Sequence, residues 1–179
     1  MAAVKKINKE GLLDAAYELV RKEGLESLSA RKLAKEAKCS TQPIYDSFQT
    51  MDAIVKVTEE KMKAEYEKLK KEVADLGCAD FSEQGIAIIA FAEKERILFR
   101  HFVIEDSNER DSLFDCIDYD GIFTNGSDCT VVEIIKKKMK DYIMGVAALV
   151  SEGYEFEGRA SIVSDIQSYC SFLMKKYMK

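Results

Sequence analysis

The sequence predicts an all-α protein of about nine helices. Apolar residues recur at three- and four-residue spacing along the chain, which is the period of an amphipathic helix. No segment keeps the alternation of apolar and polar residues that a half-buried strand requires. The 179 residues contain one proline, Pro43, so almost no position interrupts a helix.

Charge is distributed unevenly along the chain. Residues 1–50 carry nine Lys and Arg against seven Asp and Glu, whereas the remaining 129 residues carry 18 against 25. The N-terminal part is therefore weakly positive and the rest is acidic, which argues against a protein that coats nucleic acid by charge alone. A small positive surface on an acidic body fits selective docking, because the repulsion of the body limits nonspecific affinity.

The residue inventory disfavours catalysis and metal binding. Five cysteines lie apart without a CxxC pair, and the single histidine is His101. A scattered, odd set of cysteines is typical of reduced thiols in the cytoplasm. No apolar run approaches the length of a membrane span, and no secretory signal is visible. We expect a cytoplasmic protein that is not an enzyme, needs no cofactor or metal and does not enter a membrane.

The first fifty residues predict three helices, and a long fourth helix follows. The amphipathic first helix stops at Gly24, which suits a left-handed cap. Ser29 and Ser40 are good N-caps for two short helices, and the fourth helix begins after Thr50. Two short helices joined by a tight turn become stable when the first helix covers their apolar faces. The second short helix then keeps an outer face that can enter the major groove of DNA.

The segment Leu28–Phe48 resembles the TetR family of bacterial repressors. The family pattern has a glycine after the first helix, then Ser/Thr-x-Arg-x-Leu/Ile-Ala, a turn, and Ser-x-x-x-Leu-Tyr-x-x-Phe. The spacing matches without an insertion over about 45 residues. The matching residues are Gly24, Ser29, Arg31, Leu33, Ala34, Ser40, Ile44, Tyr45, Phe48 and Thr50.

The resemblance implies a division of labour along the chain. Residues 1–49 are the expected helix-turn-helix DNA-binding domain, and residues 50–179 are a helical domain for ligand sensing and dimerisation, with helix 50–76 connecting the two. The implied function is a ligand-responsive repressor that binds a palindromic DNA operator as a homodimer and responds to an unknown small-molecule effector. The alternative is a helical ligand- or protein-binding module that has lost specific DNA recognition.

The resemblance also implies that the third helix reads bases while residues at its edges contact phosphates. Gln42 can pair with adenine, Asp46 can accept from a cytosine amino group, and Tyr45 can place its hydroxyl on a phosphate. The alternatives are a packing role for Tyr45 and, for Asp46, a solvated carboxylate that repels DNA. The predicted DNA contacts are Ser29, Arg31, Lys32, Ser40, Thr41, Gln42, Pro43, Tyr45, Asp46 and Ser47.

Two positions depart from the family pattern. Lys38 occupies the turn position where the family has glycine, so it must accept a left-handed conformation at a cost in strain, or the turn must differ slightly. Met51 stands where the family has a phosphate-contacting lysine, and Lys56, one turn later, is the candidate to replace it.

The last two helices carry broad apolar faces, and Thr130 and Glu133 predict a capping box at the start of the first. One alternative is a purely internal core. The family-like alternative, which we favour, is a four-helix interface between two copies of the chain. The predicted interface residues are Val131, Ile135, Tyr142, Val146, Ile162, Ile166, Tyr169 and Leu173.

The middle helices, including one predicted over Arg110–Phe123, supply candidates for an effector pocket. These candidates are apolar or aromatic, and each also suits an internal core. They are Phe91, Phe99, Phe102, Tyr119 and Met144.

Overall fold

The computed structural model describes residues 7–76, 81–119, 123, 127–155 and 158–178, and it confirms the all-α fold. Within these residues lie nine α-helices, a 3₁₀ turn at Leu25–Ser27 and a π-helical segment at Arg100–Glu105. The helices are α1 (Lys9–Glu23), α2 (Ala30–Glu36), α3 (Gln42–Phe48), α4 (Met51–Asp75), α5 (Phe81–Lys94), α6 (Arg96–Phe99), α7 (Ser107–Phe114), α8 (Cys129–Ser151) and α9 (Arg159–Tyr177).

Capping of the N-terminal helices follows the sequence prediction at three positions. Ser29 precedes α2, and its Oγ accepts a hydrogen bond from the Lys32 N–H at 3.4 Å. Thr50 precedes α4, and its Oγ1 accepts from the Ala53 N–H at 3.2 Å. Each side chain satisfies a first-turn N–H that has no partner within the helix. Gly24 ends α1 with a φ of 85°, which a residue with a side chain rarely adopts.

The helix predicted over Arg110–Phe123 is wrong in its bounds, because α7 begins earlier and is shorter. The Asp106 carboxylate starts α7 by accepting two N–H groups of its first turn at 2.9 and 3.2 Å. Beyond α7 the backbone leaves the helical path, and the Asp118 N–H donates to Gln84 Oε1 at 2.8 Å. Residues 120–122 of the predicted helix lie outside the described residues.

The predicted capping box of α8 is also wrong. Asp128, and not Thr130, is the N-cap, and its carboxylate accepts from the Thr130 N–H at 2.8 Å. An aspartate is as good a cap as threonine or better, so the helix starts earlier and Cys129 becomes its first residue.

The chain divides into two compact units, residues 1–67 and 68–179, and the division falls inside α4. The predicted boundary between residues 49 and 50 divides the chain by function, whereas the two compact units are defined by packing. The functional boundary stays a prediction. The first unit is built on one apolar cluster that draws on α1 to α4. Its buried members are Leu12, Ala16, Leu33, Ala34, Ile44, Phe48 and Ile54.

In the second unit α5 packs against both α8 and α9. Gly85 allows the close approach of α5, because a Cβ at this position would lie 2.9 Å from Ile143 Cδ1 on α8 and 3.5 Å from Ile166 Cδ1 on α9. A larger residue at this meeting point of three helices would require the Ile143 side chain to shift.

Gln84 holds three backbone segments of the second unit together. Its side chain is fully buried, and Nε2 donates to the carbonyl oxygens of Val73 and Cys116, both at 3.0 Å. The Val73 carbonyl belongs to the last turn of α4, where carbonyls lack a partner within the helix. Since Oε1 accepts from Asp118, this one amide binds the end of α4 and the chain after α7 to α5.

No helix in the described ranges is long and apolar enough to cross a membrane. The same ranges hold no cluster of His, Cys, Asp and Glu suited to a metal ion. Cys39, Cys116, Cys129 and Cys170 are free thiols, and Cys78 lies outside the described residues.

We predict that Gln84→Ala lowers the free energy of unfolding by about 2–4 kcal/mol, because it leaves two carbonyls and one N–H without their partner. Urea unfolding at fixed protein concentration measures the loss. Gln167→Ala is the matched control, because Gln167 is exposed and donates to Ser82 Oγ at 3.3 Å. The control is expected to cost less than about 1 kcal/mol, and equal losses in the two variants would contradict the assigned role of Gln84.

Candidate functional site

The apolar cluster of the first unit fixes the orientation of α3. Ile44 and Phe48 are 0% and 6% exposed and lie one turn apart on the inner side of the helix. They share the cluster with Leu12 of α1 and Leu33 of α2. Because positions four apart lie on one face, the outer face of α3 is left to other residues.

The ten predicted DNA contacts lie on α2, α3 and the segments just before these helices. On α3, Gln42, Tyr45 and Asp46 are exposed. Tyr45 is 45% exposed, which disfavours the packing alternative for its ring. Of the others, Ser29, Arg31, Lys32 and Ser40 are exposed, and Thr41, Pro43 and Ser47 are half-buried.

The structure corrects the predicted role of Ser40 as the cap of α3. The N-cap is Thr41, whose backbone is already helical at φ −74° and ψ −17°. The Thr41 carbonyl accepts from the N–H groups of Ile44 and Tyr45 at 3.2 and 3.4 Å, and its side chain makes no capping hydrogen bond. Ser40 thus lies one residue too early to cap the helix, and its hydroxyl is exposed in the turn.

The turn between α2 and α3 confirms that Lys38 adopts a left-handed conformation. Its φ is 53°. This conformation folds the chain back, so that the Cys39 N–H donates to the Ala34 carbonyl at 2.9 Å and the Lys38 N–H to the Lys35 carbonyl at 3.3 Å. This pair of bonds is the Schellman motif, in which glycine is the favoured left-handed residue. A lysine there carries the strain that a glycine would avoid.

Three predicted DNA contacts, Lys32, Gln42 and Asp46, have side-chain partners within the protein. Lys32 Nζ lies 2.6 Å from Glu23 Oε2, and this ammonium lowers the pKa of the Glu23 carboxyl. Both side chains are about half exposed, so the ion pair is weak and easily exchanged for a phosphate. Gln42 Nε2 donates to Asp46 Oδ1 at 2.8 Å across one turn of α3.

Arg31 is exposed and makes no ion pair with the described part of the chain. A guanidinium without a carboxylate partner can contact a phosphate without first breaking an ion pair. The helix-turn-helix therefore presents the unpaired Arg31 on α2 and a linked amide and carboxylate on α3.

Comparison with known proteins agrees with this geometry. Residues 12–58 match the sequence model described as bacterial regulatory proteins, tetR family, and this range covers α2, α3, most of α1 and the start of α4. Residues 12–58 therefore form a DNA-binding domain of the TetR family. The chain is a transcriptional regulator whose helix-turn-helix is formed by α2 and α3.

The fold of the chain is shared with almost the whole chain of a solved structure. The crystal structure of a TetR-like transcriptional regulator from Rhodococcus sp. RHA1 superimposes with a TM-score of 0.56 and 16% identity. The similarity covers 93% of this chain and 95% of that one, and it shows a shared fold. No curated protein sequence matches the chain.

The structure divides the predicted interface residues into two groups. Four of them are 0–8% exposed within the single chain and belong to the internal core of the second unit: Ile135, Val146, Ile166 and Leu173. This burial favours the internal-core alternative for these four, and their place in an interface stays a prediction. The others are partly exposed and remain a prediction: Val131, Tyr142, Ile162 and Tyr169.

The exposed side of α8 and α9 carries apolar residues that the prediction left outside the interface set. Ile134, Leu149 and Phe172 are 37%, 52% and 55% exposed. The rings of Tyr142 and Tyr169 lie 4.9 Å apart between centroids, and Phe172 continues this row at 6.4 Å from Tyr169. We call the five residues the apolar α8–α9 face. Their spacing, eight and seven residues on α8 and three on α9, places them on one face of each helix and was the available signal.

The candidates for an effector pocket lie mostly in the core. Phe91, Phe99, Phe102 and Tyr119 are at most 8% exposed, and Met144 is half-buried. A pocket of about 450 Å³ in the second unit has a different lining, and no local sequence pattern marks it because three helices form it. Its lining residues are Ile86, Ile89, Ala90, Glu93, Val150, Tyr154, Glu155, Gly158 and Ile162.

We predict that Lys38→Gly stabilises the protein by about 0.5–1 kcal/mol, because glycine adopts the left-handed conformation without steric strain. The melting temperature, followed by circular dichroism, should rise. Lys35→Gly removes the same charge from the last turn of α2, where glycine weakens the helix, so it should destabilise by roughly 0.5–1 kcal/mol. Changes of the same sign in both variants would refute the assignment of strain to Lys38.

Proposed function

We propose that this transcriptional regulator is a ligand-responsive repressor that binds a palindromic operator as a homodimer. The observation that carries the proposal is the two-sided α3, with Ile44 and Phe48 buried beneath it and Gln42, Tyr45 and Asp46 exposed on it. A short helix whose inner face is packed on the core and whose outer face is polar is suited to lie in a major groove.

The exposed groups divide into those that position the protein and those that read bases. Arg31, Ser29 and Tyr45 are suited to phosphate contacts, which set register without carrying sequence information. The Gln42–Asp46 hydrogen bond occupies one amide proton and holds the amide in one orientation. Gln42 Oε1 and Asp46 Oδ2 remain as acceptors, which suits base edges with amino donors, as adenine and cytosine present in the major groove.

Two arguments support dimerisation: the limited DNA affinity of a single recognition helix, and the apolar α8–α9 face. One seven-residue recognition helix offers few contacts, whereas two copies about 34 Å apart would engage two half-sites one turn apart. Exposed Leu149 and Phe172 are typical of an interaction surface. Gly145 lies on the exposed side of α8, and a Cβ there would meet nothing within 4 Å. A glycine inside a helix is unfavourable in isolation, and close approach of a second helix would give it a role.

Repression and induction require two states of the dimer with different spacing between the recognition helices. An effector shifts their equilibrium only by its difference in affinity for the two states. The acidic second unit and the unpaired Arg31 together favour selective over nonspecific DNA binding, which suits a repressor. Since its target is chromosomal DNA, the proposal places the protein in the cytoplasm and requires no catalysis.

We predict that the purified protein enriches one palindromic sequence from randomised duplexes, and that its affinity falls steeply with salt. Arg31→Ala should weaken binding and lower the salt slope by about one per protomer, because a phosphate contact is lost. Tyr45→Ala should weaken binding with little change of slope, since no charge is removed. Fluorescence anisotropy at several salt concentrations measures both.

Lys71→Ala is the control for these variants, because it removes one exposed charge in the second part of α4. It should leave affinity within about twofold, since distant surface charges are screened. If no sequence is enriched while the protein remains folded, the proposal fails and the module without DNA recognition is the better assignment.

We predict that the wild type sediments as a dimer and that Leu149→Lys or Phe172→Lys weakens dimerisation at least about 100-fold, because each buries a lysine at the interface. Ile104→Lys is the matched control, because Ile104 is 36% exposed and lies outside the apolar α8–α9 face. Analytical ultracentrifugation reads the change. A dimer that tolerates lysine at both positions would show that the two copies meet elsewhere.

A further inference from the structure

The pocket of about 450 Å³ in the second unit combines an apolar lining with acidic groups. Ile86 and Ile89 come from α5, Val150 from the end of α8 and Ile162 from the first turns of α9. This volume lies in the range that holds drug-sized ligands. Aliphatic side chains on three helices suit a hydrocarbon body, and they offer it no hydrogen bonds.

Two carboxylates complete the lining, Glu93 on α5 and Glu155 in the segment before α9. Both are exposed, and neither has an ion-pair partner in the described part of the chain. Glu152 in the same segment differs, because its carboxylate lies 2.8 Å from Arg100 Nη2. The two charged residues of the pocket lining are therefore both acidic.

Tyr154 adds an aromatic ring to the same pocket and is 59% exposed. The face of an aromatic ring attracts ammonium groups, most strongly quaternary ones. The ring and the two carboxylates favour the same sign of charge on a ligand. An anionic ligand would meet two like charges, and a purely apolar one would leave both carboxylates beside hydrocarbon.

We propose that this pocket binds an amphipathic organic cation, an apolar body that carries one ammonium group, and that this cation is the effector of the regulator. The inference rests on the proposed ligand response and adds the site and the chemical class of the ligand. The apolar body lies against Ile86, Ile89, Val150 and Ile162, and the ammonium lies between Glu93, Glu155 and Tyr154. Because α8 and α9 also carry the apolar α8–α9 face, a ligand between them and α5 acts on the elements that pair two copies.

The binding test uses the full-length protein and three probes with one chain length, each below its micelle concentration. These are octyltrimethylammonium, octyl sulfate and the neutral 1-octanol, measured by isothermal titration calorimetry. Octyltrimethylammonium should bind saturably at one per protomer and at least about tenfold more tightly than octyl sulfate, which corresponds to roughly 1.4 kcal/mol. Equal affinity for cation and anion, or no saturable binding of the cation, overturns the proposal.

The variant Glu93→Gln/Glu155→Gln keeps the shape of the pocket and removes its charge. It should lose at least about tenfold in affinity for octyltrimethylammonium while its affinity for 1-octanol is unchanged. Glu65→Gln/Glu72→Gln on α4 removes the same charge at exposed positions outside the pocket lining and is the matched control. Equal losses in the two double variants would mean that general charge, and not this pocket, attracts the cation.

The effector role is tested on the enriched operator. Octyltrimethylammonium should lower the operator affinity of the wild type and leave that of Glu93→Gln/Glu155→Gln unchanged, and an unchanged wild-type affinity overturns the effector role. Operator binding without any probe tests the proposed function separately. A protein that binds operator but not the cation refutes the pocket assignment alone, and one that binds the cation but no DNA refutes the regulator alone.

Discussion

The DNA-binding surface depends on the burial of two side chains on a helix of seven residues. A helix this short is not stable by itself, because its nucleation cost exceeds what a few internal hydrogen bonds return. Ile44 and Phe48 anchor it to the cluster formed with α1, α2 and α4. The buried inner face of α3 therefore fixes the position of the outer residues, although none of the outer residues is part of it. Any change that loosens the inner face would alter recognition without touching a DNA contact.

In the second unit, buried residues likewise position the helices, here through hydrogen bonds and through a small residue at a close contact. Gly85 lets α5 approach α8 and α9, and the adjacent Gln84 binds the last turn of α4 and the chain after α7. These neighbouring residues make α5 the element on which the rest of the unit is assembled. The α5 residues Ile86, Ile89 and Glu93 also line the pocket, so a ligand there contacts the central helix and not a peripheral loop.

Local chemistry could be predicted wherever the deciding groups lie within a few residues of one another. The caps at Ser29 and Thr50 and the left-handed turn at Lys38 are of this kind, since each depends on hydrogen bonds between near neighbours. The wrong cap predictions at Ser40 and Thr130 also concern groups within one or two residues of each other. In both places a neighbouring residue also suits the helix start, and the choice between adjacent positions depends on how the preceding chain enters the helix.

The sequence by itself determined the all-α class and the helix-turn-helix with its resemblance to the TetR family, because periodicity, capping and motif spacing are properties of short segments. Only the tertiary structure decided which apolar residues of α8 and α9 lie inside. Ile135, Val146, Ile166 and Leu173 face the core, while Ile134, Leu149 and Phe172 remain exposed. A helix that is apolar around most of its circumference does not record which side its neighbours occupy. The pocket could not be predicted for the same reason, because its lining comes together only where α5, α8 and α9 converge.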